Sequence, residues 1–115
     1  MQYMMLVLGD ESRLNQDPDT PVSPAIQAYV DALRKAGALA GGDRLYPTRI
    51  GKRVSRREGK TRVIDGPYPD TREQVGGYFM LNVKDEAEAV AWAEKCPAAE
   101  YSTLELRRVV ETTPA

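Results

Sequence analysis

Two short segments of this chain are apolar at nearly every position, Gln2–Leu8 and Tyr78–Val83. Successive side chains of a β-strand point to opposite faces of its sheet, so a strand with one solvated face would alternate apolar and polar residues. Neither segment alternates in this way. Both are therefore predicted to be central strands whose two faces need cover, and this requirement limits the possible folds more than any other feature.

Two amphipathic helices are predicted, each with clear end signals. Ser23-Pro24 supplies an N-cap residue and a proline at the first helical position, and Gly37 ends that helix. Asp85 caps the second helix, which ends at Cys96-Pro97. The predicted buried faces consist of Ile26, Tyr29, Val30 and Leu33 in the first helix, and of Ala87, Val90, Ala91 and Trp92 in the second.

Further strands are predicted at 38–45 and 102–110, and a hairpin pairs 48–55 with 60–64 around Glu58-Gly59. Gly41-Gly42 indicates a bulge or a close backbone approach, and residues 112–115 are expected to fray. The hairpin region is strongly basic through Arg49, Lys52, Arg53, Arg56, Arg57, Lys60 and Arg62. We expect an exposed arm or edge whose charges oppose aggregation.

The order of elements is therefore β-α-β-(β-hairpin)-β-α-β in one α+β domain spanning residues 1–115. Two helices can cover only one face of such a sheet. Each large apolar side chain removed from water contributes about 1.5–3 kcal/mol, so a bare second face would be a sticky patch. A second copy of the sheet is the simplest cover, and the chain is predicted to be a homodimer.

Composition limits the possible chemistry. The chain has no histidine and one cysteine, Cys96, which excludes histidine-dependent triads and both histidine and multi-thiolate metal sites. We expect neither a metal nor another cofactor. A lone cysteine is typical of a reducing cytoplasm, and no apolar run is long enough to span a bilayer. Net charge is −1, which gives no global attraction to nucleic acid or to an anionic membrane.

The stretch from Asp65 to Asn82 combines a turn signal with a glycine pair before a strand. Asp65-Gly66-Pro67 closes the preceding strand, and Gly76-Gly77 indicates a close backbone approach. The sequence D-G-P-Y, followed at 71–78 by T-R-E-Q-V-G-G-Y, resembles the signature of the DGPF family within the YCII-related proteins. The resemblance extends over nearly the whole chain.

The resemblance implies a ferredoxin-like βαββαβ subunit carrying an extra β-hairpin, an antiparallel sheet with helices on one face, and pairing into a dimeric α+β barrel. It implies no settled activity. YCII relatives proposed to be enzymes carry a histidine in the first helix paired with an acid, and this chain has no histidine to supply that role. Family resemblance also suggests association with extracytoplasmic-function sigma factors.

Four residues are candidates for a ligand site. Asp65 could be a general acid or base or could orient a substrate, although an Asp before Gly-Pro more often forms a turn through backbone N–H groups. Glu73 could line the same cleft or be a solvated loop residue. Tyr46 and Tyr78 could bind a ligand or could be core tyrosines with satisfied hydroxyl groups. Cys96 lies at a helix C-terminus, where the dipole opposes thiolate formation.

Two hypotheses from different classes remain. The first is a homodimer that binds a small polar metabolite in a sheet-lined cavity between the subunits, with Asp65 and neighbouring tyrosines as its polar groups, and is either a binding protein or a metal-independent enzyme. The second is a non-catalytic regulatory or interaction module with a filled interior, which the family resemblance associates with an extracytoplasmic-function sigma factor. The basic hairpin lacks the interleaved aromatic residues that stack on bases, which argues against nucleic-acid binding.

Overall fold

In the computed structural model, which describes residues 1–69 and 71–112, six strands and two α-helices follow the predicted order. Three short 3-10 turns interrupt the connections. The predicted frayed tail lies largely outside the described residues. The elements are β1 (Gln2–Gly9), α1 (Pro24–Lys35), β2 (Leu39–Arg44), β3 (Lys52–Arg57), β4 (Lys60–Asp65), β5 (Gln74–Asn82), α2 (Glu86–Lys95) and β6 (Thr103–Arg108).

Four of the strands form an antiparallel sheet in the order β2-β5-β1-β6, and β3 pairs with β4 in a separate hairpin. The central strands β1 and β5 are the two segments that are apolar at nearly every position. This architecture confirms the predicted α+β class and is compatible with a ferredoxin-like fold. The predicted placement of the helices on one face also holds, since the core lies between them and the sheet.

The helix ends are where the sequence predicts them, because local hydrogen bonds fix them. The Ser23 hydroxyl oxygen accepts a bond from the Ile26 N–H at 3.2 Å, and an Asp85 carboxylate oxygen accepts one from the Glu88 N–H at 2.8 Å. Gly37 has a φ of +71° and lets the N–H of Ala38 reach the Leu33 carbonyl, which closes α1.

Strand register separates the sheet into two unlike faces. Tyr3, Met5 and Leu81 lie on the helix-covered face and are at most 5% exposed. On the opposite face β1 and β5 place a row of half-buried side chains that no helix covers. We call this the open face, and its apolar residues are Met4, Leu6, Leu8, Tyr78 and Met80.

Two predicted details are wrong. The hairpin strand begins at Lys52 rather than at Thr48, because the N–H of Gly51 bonds to the Thr48 carbonyl at 2.8 Å and curls this segment into a 3-10 turn. The buried face of α2 is centred on Ala89, which is fully buried, with Trp92 and Ala93 beside it. The predicted face members Ala87, Val90 and Ala91 are instead exposed.

The β3–β4 hairpin, residues 52–65 including its turn, projects from the remainder of the molecule, and we call it the arm. Its strands contact each other closely and other elements only sparsely. Every arm residue is exposed except the half-buried Ser55. The radius of gyration is 16.1 Å, whereas a compact domain of this size has about 13 Å.

Candidate functional site

A cavity of about 540 Å³ opens on the helix-covered side of the sheet, between β5, the first half of α1 and the loop that follows β1. Its apolar walls include Leu14 from the loop, Ile26 and Val30 from α1, and Phe79 from β5. A volume of this size lies within the range typical of small-molecule sites, which are mostly apolar with a few polar groups. We call it the α1 cavity.

Three glycines form the floor of the α1 cavity. Gly42 of β2 and Gly76 and Gly77 of β5 all line it. A Cβ at Gly42 would lie 2.6 Å from the Tyr78 carbonyl oxygen, and one at Gly77 would lie 2.9 Å from that of Asp43. A Cβ at Gly76 would lie 2.6 Å from a Leu14 methyl carbon. The close approach predicted at both glycine pairs is confirmed, and it leaves bare backbone facing the cavity.

Hydrogen bonds to the last residue of β2 and to the segment after it hold the loop wall in place. One guanidinium nitrogen of Arg44 donates to the carbonyls of Thr20 at 2.8 Å and Asp17 at 3.3 Å. The Gln16 amide donates to the Leu45 carbonyl at 3.1 Å. A Glu11 carboxylate oxygen accepts from the backbone N–H of Thr48 at 2.8 Å. The loop that follows β1 is therefore held in a defined position and forms one wall of the cavity.

The charged groups at the α1 cavity are mainly cationic. Arg13 and Arg44 both line it, and register places Arg44 on the helix-covered face opposite Gly77. Asp43 also lines the cavity. However, Asp43 pairs with Tyr78 on the other face, so strand alternation directs its carboxylate away from the cavity. A ligand with a negative charge or strong acceptor oxygens suits this arrangement.

Tyr101 supplies a phenol at the same cavity and is 37% exposed. Burial, followed by the nearby Cys96 thiol, raises the pKa of Tyr101, so the phenol stays protonated at neutral pH and is a hydrogen-bond donor. Burial likewise raises the pKa of Cys96, which is 3% exposed. A protonated, buried thiol is a poor nucleophile.

The four predicted site residues do not lie together. Asp65 ends β4 and forms an ion pair with Lys52 across the arm, and both side chains are well exposed, at 73% and 65%. This bond raises the pKa of Lys52. Tyr46 is 61% exposed and Glu73 is also exposed. Tyr78 lines the cavity, but register places its ring on the open face beside Leu6.

The Asp-Gly-Pro-Tyr motif forms the base of the arm. A Cβ at Gly66 would lie 1.6 Å from the Thr48 carbonyl oxygen, so only glycine fits there. The N–H of Gly66 donates to the Gly51 carbonyl at 2.9 Å. Tyr68 is 8% exposed, and the Arg53 guanidinium stacks 3.7 Å from its ring centroid. The motif therefore joins arm and body, with Asp65 outside the lining of the α1 cavity.

Residues 1–69 and 71–112 contain no group of three or more acidic or thiol side chains placed to hold a metal ion. Within these residues, neither α-helix has the length and apolar character needed to cross a membrane.

Comparison with known sequences matches a known family over nearly the whole chain. The sequence model of the YCII-related domain matches residues 1–113. The chain belongs to the YCII-related family. This YCII-related protein is also 30% identical over 106 residues to an uncharacterised protein of Rhizobium meliloti (strain 1021), with 90% of this chain and 86% of the relative covered.

Sequence reasoning missed the side chains that shape the α1 cavity, above all Arg13, Arg44 and Tyr101. Each comes from a different segment, and no spacing along the chain connects them. The glycine pairs were a usable signal. Both fall in the half of β5 and β2 that meets the loop after β1, so two glycine-rich strands in register predict a hollow between them.

Proposed function

We propose that this YCII-related protein is a homodimer that binds a small organic molecule in the α1 cavity of each subunit. The observation that carries the proposal is the cavity itself, an apolar hollow with a glycine floor and two arginines among its lining residues. A cavity of this kind favours a small-molecule protein over a regulatory module with a filled interior.

The lining indicates a ligand with an apolar body and an anionic or acceptor group. Val22, Ile26 and Phe79 would contact the apolar part, while Arg13 and Arg44 would face the acceptor. Binding has stronger support than catalysis, because Tyr101 is the lining side chain suited to proton donation and its raised pKa makes it a weak acid. Metal-independent proton transfer through Tyr101 is the catalytic form of the proposal.

Homodimer formation is supported by the open face. Its central residues are apolar and half-buried, while β6 contributes the ion pair Arg107–Glu105, with an N–O distance of 3.5 Å, at one edge. An apolar centre with a charged rim is typical of a protein–protein interface. A second sheet stacked here by two-fold symmetry would cover Leu6 and Met80. The open face lies opposite the α1 cavity, so stacking leaves the cavity accessible.

The test is a thermal-shift screen of apolar carboxylates from butyrate to naphthoate, each beside its uncharged amide. A carboxylate present at ten times its Kd should raise the Tm by about 5 °C, and its amide should bind about 10-fold more weakly. Val30→Trp would fill the cavity from α1 and should abolish the shift. The matched control is Val90→Trp, because Val90 is 40% exposed on α2 and does not line the cavity.

Absence of any shift across the panel would count against this ligand class. A shift of equal size in Val30→Trp and in the unmodified protein would show that the ligand binds elsewhere. Either result would leave the homodimer to be decided separately by sedimentation.

A further inference from the structure

The exposed apolar side chains of this protein are concentrated in and beside the arm. Among the described residues, eleven large apolar side chains are exposed, and six of them lie between positions 45 and 64. Within the arm, Val54 and Val63 stand directly opposite each other at 67% and 59% exposure. Scattered apolar residues are ordinary on a surface, but a contiguous apolar cluster on a projecting hairpin is typical of a surface that contacts another molecule.

Charge is segregated in the same place. The arm contains six of the sixteen basic side chains and two of the seventeen acidic ones, so it carries a net charge of +4 and the remaining chain carries −5. Arg57 and Lys60 also face each other directly across the strands. Like charges at opposed positions destabilise a hairpin, and a two-stranded hairpin is marginally stable in water by itself. The arm therefore suits an acidic surface.

Both faces of the arm combine cations with exposed apolar side chains. One face presents Val54 and Val63 beside Lys52 and Arg56, and the other presents Ile64 beside Arg57, Lys60 and Arg62. A polyanion such as nucleic acid would neutralise the cations but would leave the valines bare. Residues 52–65 also contain no aromatic side chain to stack on bases. A protein surface that is both apolar and acidic satisfies both faces.

We propose that the arm docks on the body of a second copy of this chain, with the Val54–Val63 pair in contact and the cations near carboxylates. The proposal rests on the homodimer proposed above. The partner body supplies the complementary charge, since the chain outside the arm sums to −5. Strands of six residues reach about 20 Å. That length is close to the width of a four-stranded sheet, so an arm can extend along a stacked partner.

The test compares dimer dissociation constants of full-length variants by sedimentation equilibrium at low and high salt. Val54→Asp/Val63→Asp should weaken the dimer at least 10-fold. Arg57→Glu/Lys60→Glu should weaken it similarly at low salt and reduce its salt dependence. All these side chains are exposed in one subunit, so circular dichroism should show native folding. Val110→Asp, at an 83% exposed site outside the arm, is the matched control and should leave the dimer unchanged.

A second measurement identifies the contact directly. Carbodiimide coupling of a dimer mixed from ¹⁴N- and ¹⁵N-labelled chains should yield peptides of mixed label that join Lys52 or Lys60 to a carboxylate of the other copy.

The outcomes separate this inference from the proposal beneath it. A dimer of wild-type affinity in both arm variants would overturn arm docking while the homodimer stands. A wild-type protein that is monomeric would overturn both. Retention of the wild type, but not of Arg57→Glu/Lys60→Glu, on duplex DNA, with an unchanged dimer, would assign the arm to a polyanion and overturn the proposal.

Discussion

Tyr3 and Met5 of β1 are 5% and 0% exposed, whereas their chain neighbours Met4 and Leu6 are only half-buried. These residues are all largely apolar and share one strand. Their exposure differs because Tyr3 and Met5 face the helices, whereas Met4 and Leu6 face the open side of the sheet. An apolar residue thus stabilises this fold only where another layer lies over it, and half of the central sheet lacks that layer within one chain.

The largest expected effect comes from placing the same charge on each face. Met5→Asp would bury an unpaired carboxylate among the core side chains, and we expect a loss above about 4 kcal/mol, enough to unfold the chain. Leu6→Asp should preserve the fold, because the side chain points to the open face, but should weaken the proposed dimer at least 100-fold. Circular dichroism melts and sedimentation equilibrium distinguish these results.

Met5→Leu and Leu6→Met are the matched controls, since volume-conserving swaps cost little on either face. Unfolding by both aspartate variants would show that the open face is already part of the monomer core. A Leu6→Asp protein that remains dimeric would place the interface elsewhere.

A smaller effect is expected from titration on the covered side. Burial raises the pKa of Cys96 above its usual 9.0 and also raises that of Tyr29. The unfolded chain loses these protons first as pH rises, so it binds fewer protons than the native state and stability falls. The full contribution is present below about pH 9 and decreases above it, by up to about 1.4 kcal/mol per pH unit for each group.

Urea titrations between pH 7 and pH 10.5 measure this loss. Cys96→Ser removes the thiol ionisation at nearly constant shape and should make the decline shallower. A decline of identical slope in wild type and variant would mean that the thiol does not contribute.

The smallest effect is expected at Asp65, which lies on neither face of the main sheet. Exposed ion pairs contribute little to stability, so Asp65→Asn should lower the Tm by less than about 2 °C. The same variant should respond to a bound carboxylate as wild type does, because Asp65 does not line the α1 cavity. A carboxylate affinity reduced by 10-fold or more at unchanged stability would show that Asp65 contributes to the ligand site.

Local signals in the sequence predicted local structure well. Ser23, Gly37 and Asp85 determine helix ends through hydrogen bonds within a few residues, so their positions could be read directly. The buried face of α2 could not be predicted in this way, because its alanines are compatible with several rotations of the helix about its axis. Packing against the sheet determines that Ala89 is the buried residue. The strand predicted from Thr48 is wrong because Pro47 and Gly51, two residue types typical of turns, flank a 3-10 turn there.

The α1 cavity depends on contacts that no local pattern encodes. Arg44 and Gln16 hold the loop through bonds spanning more than twenty residues. The motif predicts Asp65 and Glu73 as site residues, but Asp65 lies at the base of the arm and Glu73 lies immediately before β5. The sequence therefore predicts the Asp-Gly-Pro-Tyr turn but does not predict the α1 cavity.

The glycine floor also limits how this hollow can change through mutation. Any side chain at Gly42 or Gly77 would strike the backbone of the adjoining strand, so filling the hollow from below would require separating β2 from β5. At Gly76 the obstacle is Leu14, a flexible side chain that can swing aside. Selection for a different ligand would therefore have to change the wall residues. Gly42 and Gly77 of the floor cannot be replaced as long as β2 pairs with β5.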